Sequence, residues 1–97
     1  MHDLTAFQRD ILYVLAGSED AYGLAIKREL EGYYEGDVNH GRLYPNLDDL
    51  VERGYVEKGQ IDRRTNSYNL TEAGAAEIER RREWETEYLP DDELLTA

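Results

Sequence analysis

The chain has 97 residues, 22 of them acidic and 11 basic, for a formal net charge of −11, and it carries no cysteine. A length in this range makes one domain, which buries only about 60 to 65 per cent of its unfolded surface, so a partner subunit is expected. The lack of cysteine excludes disulfides and thiol chemistry, no apolar run approaches the roughly 18 residues of a bilayer span, and with no secretory leader the expected location is the cytoplasm.

Thr5, with Gln8 three residues on, forms a capping-box pattern, and Phe7, Ile11, Leu12 and Leu15 supply the apolar face of a first helix ending near Gly17. A second helix is predicted from about Ala21 to Tyr33, capped by Asp20, with Tyr22, Ile26, Leu30 and Tyr33 spaced for burial. Asn39 caps a third. Within it Leu43, Leu47, Leu50 and Val51 share one side, while Gly41, Arg42, Pro45, Asp48, Asp49 and Glu52 face away. Pro45 lies beyond the first turn, where a proline removes a hydrogen bond, so a kink or a slack start is expected. Gly54 suits the left-handed position after the helix, and Tyr55 and Val56 begin an extended segment.

Residues 55–61 and 67–70 then read as a β-hairpin around the polar turn 62–66, with Arg63 and Arg64 at its tip. Thr71 caps a fourth helix that continues to about Leu89, before Pro90. By periodicity alone the third helix is also an ordinary amphipathic helix, and an Arg-Arg pair at a turn is also ordinary solvated surface. The order helix, helix, helix, hairpin, helix joins them into one arrangement: a mainly α, α+β winged helix, with a helix-turn-helix core, a β-hairpin wing and a long C-terminal dimerisation helix. Residues 1–70 form the DNA-binding region, and residues 71–97 form the dimerisation helix and an acidic tail, within one structural domain.

The segments Gly41-Arg42-Leu43-Tyr44-Pro45-Asn46-Leu47, Leu50-Val51-Glu52-Arg53-Gly54-Tyr55-Val56, Arg63-Arg64 and Tyr68-Asn69-Leu70-Thr71-Glu72-Ala73-Gly74 resemble the PadR-type transcriptional regulators. The likeness covers roughly residues 7 to 75, and the opening Met1–Asp10 and the acidity are similar to haloarchaeal members linked to oxidative stress. The resemblance implies a sequence-specific DNA-binding regulator in which Gly41, Arg42, Tyr44, Pro45 and Asn46 belong to the recognition segment and Arg63 and Arg64 to the wing. It also accommodates Pro45 inside this helix.

The acidity runs against DNA binding, but it is unevenly placed. Residues 39–68 hold five basic and five acidic groups, so the net surplus of −11 comes from the flanks. Nine arginines against two lysines, with acids spread along the chain, suit a protein working in molar salt, where the Debye length is about 3 Å. There counterion release contributes little, so shape, base-edge contacts and inorganic cations held at the DNA interface are expected to carry binding.

Among individual residues, Arg42 is placed to fork onto guanine, Asn46 to pair with adenine or bond a phosphate, and Asn39 and His40 to meet phosphate. Tyr44 sits at the margin of the apolar face, as core or as contact. Trp84 and Tyr88, at i and i+4, with Leu89 offer an apolar surface for a homodimer partner, and Phe7 and Ile11 of the first helix are expected to join them. Arg80-Arg81-Arg82 is surrounded by glutamates, and pairs such as Glu77 with Arg81 are expected there. Leu94 and Leu95 are expected in a frayed tail.

No spacing of histidine or carboxylate offers a metal site and no Gly-rich loop cradles phosphate, so no catalysis, cofactor or membrane partner is expected. The alternative is a winged-helix module that binds a protein through its acidic surface, with DNA irrelevant. Arg42, Arg63 and Arg64 discriminate between the two, since only the DNA reading needs them.

Overall fold

The computed structural model describes residues 1–89. Seven elements follow in chain order: α1 (Ala6–Ala16), β1 (Ala21–Tyr22), α2 (Gly23–Tyr34), α3 (His40–Glu52), β2 (Val56–Gln60), β3 (Asn66–Leu70) and α4 (Glu72–Tyr88). The strands form an antiparallel sheet in the order β1-β3-β2. Lys58 stands opposite Tyr68 in the hairpin, and Ala21 meets Tyr68 from the other side. The winged helix expected from the order of elements is present, with one added strand.

The capping box forms as expected. Thr5 accepts from the Gln8 N–H, and the Gln8 side chain returns to the Thr5 N–H. α2 departs from expectation at both ends. Asp20 is no cap: it has a φ of 48° and exchanges hydrogen bonds with Asn69 across the sheet, so Ala21 and Tyr22 pair with β3 and the helix begins only at Gly23. Ile26, Leu30 and Tyr34 then form the inward i, i+4, i+8 stripe. Tyr33 is 79% exposed and Tyr22 is also exposed. The Tyr34 ring lies 6.3 Å from that of Phe7, and its hydroxyl donates to Asp10. Burial and that carboxylate push the phenol up to about 12, so it remains a donor.

α3 is capped by Asn39, whose side chain accepts from the Gly41 N–H at 2.6 Å. The helix runs unbroken through Pro45, which points outward while Leu43, Leu47 and Leu50 are buried. Gly54, with a φ of 84°, ends it: its N–H bonds to the Val51 carbonyl and that of Tyr55 to Leu50, a paired closure that only a left-handed residue allows without strain. Thr71 then staples α4 to this corner. It accepts from the Gly74 N–H and donates through its hydroxyl to the Gly54 carbonyl at 2.6 Å.

Two expectations for the helices are corrected. Phe7 and Ile11, assigned to a subunit interface, are 3% and 0% exposed inside the single chain and belong to its core with Leu12, Ile26, Leu43 and Leu47. Glu77 pairs with Arg80 instead of Arg81 and turns inward. Burial pushes its carboxyl up, but the Tyr55 hydroxyl at 2.8 Å, the Met1 amine and Arg80 outweigh that effect and hold it below the usual range. Arg81 faces Glu85 and Arg82 faces Glu79, so the arginine triplet is matched by glutamates of its own helix. Leu94 and Leu95 lie outside the described residues. No helix among the described residues is long and apolar enough to cross a membrane.

Candidate nucleic-acid interface

The outward face of α3 is set by its phase: with Leu43, Leu47 and Leu50 turned inward, His40, Gly41, Tyr44, Pro45 and Asp48 are exposed. His40 and Tyr44, one turn apart, stack with ring centroids 5.7 Å apart and an interplanar angle of 6°. Opposite them stands the wing. The turn at its tip is held by an Ile61 N–H to Thr65 carbonyl bond and by Asp62, whose carboxylate accepts from the Arg64 N–H at 2.9 Å. That backbone bond holds the Asp62 carboxyl below its ordinary range.

Between wing and helix runs a concave groove lined by Tyr22 of β1, Gly23 and Leu24 from the start of α2, Tyr44 from α3, and Arg64, Thr65, Asn66 and Tyr68 from the hairpin. The structure thus brings Tyr44 and Arg64 together across one depression, with the exposed Arg63 beside it at the tip. Tyr22, Gly23 and Leu24 are additions that sequence reasoning missed. Two-residue β1, invisible to periodicity, is what delivers them.

Two recognition-segment residues are engaged elsewhere. The Arg42 guanidinium lies over the Phe7 ring, 3.9 Å from its centroid, on the α1 side of the helix. Asn46 accepts from Gln8 Nε2 at 3.1 Å and donates one N–H to the Arg42 carbonyl at 2.7 Å, so the fold fixes the orientation of its amide and leaves one N–H and one lone pair unengaged. Tyr44 is partly exposed at the groove. Asn39, His40 and Gly41 are exposed at the start of α3, although the Asn39 oxygen is committed to its cap.

The local charges are arranged to free the wing. Asp49 pairs with Arg53 at 2.9 Å and Asp48 lies 3.9 Å from Lys58. Among the described residues, Arg42, Arg63 and Arg64 have no carboxylate within ion-pair distance, and no group of histidine and carboxylate side chains is arranged to hold a metal.

Gly23 fixes the groove's width. A Cβ there would overlap the Tyr44 ring and hydroxyl, which sit directly over this glycine. A Gly23→Ala substitution therefore forces the ring outward into the groove. The strain of about 1 to 3 kcal/mol is partly offset by the roughly 0.5 to 1 kcal/mol that alanine contributes to a helix. DNA affinity is expected to fall about tenfold under conditions where the variant is folded, with melting lowered by anything up to roughly 20 °C. Unchanged affinity in a gel-shift titration of that variant would show that Tyr44 does not shape the contact.

A family model, the transcriptional regulator PadR-like family, matches residues 11–80. Among solved structures the chain is similar to RosR of H. salinarum grown from NaBr, at 59% identity and a TM-score of 0.86, covering 93% of this chain and 81% of that one. It is likewise similar to the hsRosR-S1 complex, at 57% identity and a TM-score of 0.87, covering 95% and 82%. F93 from STIV, a winged-helix DNA-binding protein, shares the fold at 21% identity, with a TM-score of 0.74 over 91% of this chain and 96% of its own. No curated protein matches. With its groove, its arginine-tipped wing and these likenesses together, the chain belongs to the PadR-like family of transcriptional regulators, close to RosR, and is a DNA-binding regulator, not an enzyme.

Proposed function

We propose that the protein works as a homodimer in the cytoplasm, bound to a pseudo-palindromic operator in high salt. The observation that carries this reading is the convergence of Tyr44 on α3 and Arg64 on the wing across one concave face. On a duplex, α3 enters the major groove while the wing meets the neighbouring backbone or minor groove. Asn39, His40, Gly41 and Tyr44 make the helix contacts, and Arg63 and Arg64 make those of the wing. Arg42 reaches a base edge by leaving the Phe7 ring, at a cost of about 0.5 to 1 kcal/mol for an exposed cation over an aromatic face. A forked contact with guanine, at about 1 to 3 kcal/mol, outweighs it.

The dimer reading rests on α4. Trp84 is 51% and Tyr88 67% exposed, their rings 5.2 Å apart, and the next residue, Leu89, is exposed as well. Such a surface on a small domain is expected to be covered by a second copy. Twofold symmetry then sets the two α3 helices about 34 to 36 Å apart, one turn of the duplex.

Salt separates this reading from that of an ordinary basic repressor. The acid-rich flanks leave few phosphates to be neutralised by free arginines, and cations bridging acidic residues to phosphates take their place. Affinity for a fragment of the protein's own promoter is expected to persist into molar potassium chloride. A steep loss of affinity from low salt upward, of the kind that accompanies release of about six to ten counterions, would contradict it.

A further inference from the structure

Gln8 is buried near the start of α1, and its amide faces α3 with every group engaged. Its Oε1 accepts from the Thr5 N–H at 3.2 Å, which completes the capping box. Its Nε2 donates to two acceptors on α3, the Asp49 carboxylate at 2.8 Å and the Asn46 Oδ1 at 3.1 Å. Capping alone is satisfied by either glutamine or glutamate. The contacts with α3 require the amide.

These bonds run in one direction. A carboxylate only accepts, so Asp49 dictates that the Gln8 NH2 group faces α3. That NH2 in turn selects the oxygen of Asn46, which leaves the Asn46 NH2 to donate to the Arg42 carbonyl at 2.7 Å. Phe7, the neighbour of Gln8, carries the Arg42 guanidinium on its ring. One end of α1 therefore holds α3 at Arg42, Asn46 and Asp49, along the side opposite the groove.

We propose that Gln8 is a positioning residue for DNA reading: it fixes the rotation and axial position of α3 on α1, with Asn46 as the spacer of the clamp. The proposal rests on the DNA-binding reading above. A small rotation of α3 about this hold would move His40 and Tyr44 relative to the wing, and a hydrogen bond to DNA made at about 2.7 to 3.2 Å is lost with a displacement of about 1 Å.

Gln8→Glu tests it, because the variant keeps the capping box and sets a carboxylate against Asp49. The charged groups facing that position are Asp49, Arg53 and Arg42 of α3 and Asp3 of the N-terminal segment, and Arg53 is already shared by Asp49 and Asp3. Two adjacent carboxylates repel when both are ionised, as at about pH 8, and the repulsion is relieved once acid supplies a proton for them to share. Relative to the unaltered protein at each pH, affinity for the promoter fragment is expected to fall about tenfold at the higher pH and to return to within about threefold once acid has supplied that proton. Adding Asp49→Asn restores it without acid, and the melting temperature of the free protein follows the same pattern.

Gln8→Glu binding and melting like the unaltered protein at the higher pH overturns the clamp. So does a deficit that neither acid nor Asp49→Asn relieves, since that is generic damage. Should the unaltered protein ignore DNA altogether, the DNA-binding reading fails and with it the positioning role, while the pH-dependent melting still reports whether the α1–α3 hold exists.

Discussion

The double substitution Arg63→Ala/Arg64→Ala is expected to lower affinity for the promoter fragment about 10- to 100-fold. Both side chains project from the exposed tip between β2 and β3, and among the described residues neither has a carboxylate partner that would be orphaned. Their removal leaves the Ile61–Thr65 turn bond and the Asp62 turn in place, since these use the backbone groups of the substituted residues and their neighbours. Melting is therefore expected to stay within a degree or two, and affinity is expected to fall similarly on different sequences, because arginines on phosphate carry no base information. Equal affinity of the double variant and the unaltered chain would remove the wing from the interface.

Gly74→Ala is expected to destabilise the fold by about 1 to 3 kcal/mol, which at this chain length lowers the melting temperature by roughly 5 to 20 °C. Gly74 is the third residue of α4, where its N–H meets the Thr71 hydroxyl at 3.1 Å. A Cβ there would overlap the Tyr55 backbone carbonyl and crowd the Leu70 side chain. The same Tyr55 carbonyl accepts from the Thr71 N–H at 3.1 Å, so it has no freedom to retreat. This is the physical content of the Thr-x-x-Gly sequence at this corner: a cap, and a close approach that only glycine permits. Gly32→Ala is the control. It lies inside α2 with open space where a methyl group would stand, and alanine there is expected to raise stability by about 0.5 to 1 kcal/mol. Equal melting of the Gly74 variant and the unaltered protein in thermal unfolding would refute the close-packing argument.

The parts of the fold that local chemistry dictates were legible in the residues. Thr5, Asn39 and Thr71 all cap, Gly54 takes the left-handed conformation, and the three leucines of α3 choose its buried side. The departures have nonlocal causes. Asp20 reads as a cap because its type suits one, but its partner, Asn69, is 49 residues away and draws the intervening chain into a strand. Tyr33 and Tyr34 are adjacent and alike, and only the position of α1 decides that the second meets Phe7 and Asp10. Phe7 and Ile11 are apolar enough for an interface, and the chain buries them itself.

The candidate site divides in the same way. The sequence pointed to the wing arginines and to the start of α3, because turn chemistry and helix phase are local. It could not reveal that Asn46 is answered by Gln8, 38 residues earlier, or that Arg42 rests on Phe7. Nor could it reveal the groove's third wall, which comes from Tyr22 to Leu24 and depends on a strand of two residues. Gly23 was the available clue: a glycine opening a helix with no capping side chain, and it is there because the Tyr44 ring covers it.

Hydroxyl-radical footprinting of the protein on its own promoter tests the paired recognition of DNA most directly. Two protected patches are expected on one face of the duplex, their centres separated by about 34 to 36 Å and related by a twofold axis, each flanked by weaker protection from a wing. A single isolated patch, or none at any salt concentration, would contradict it.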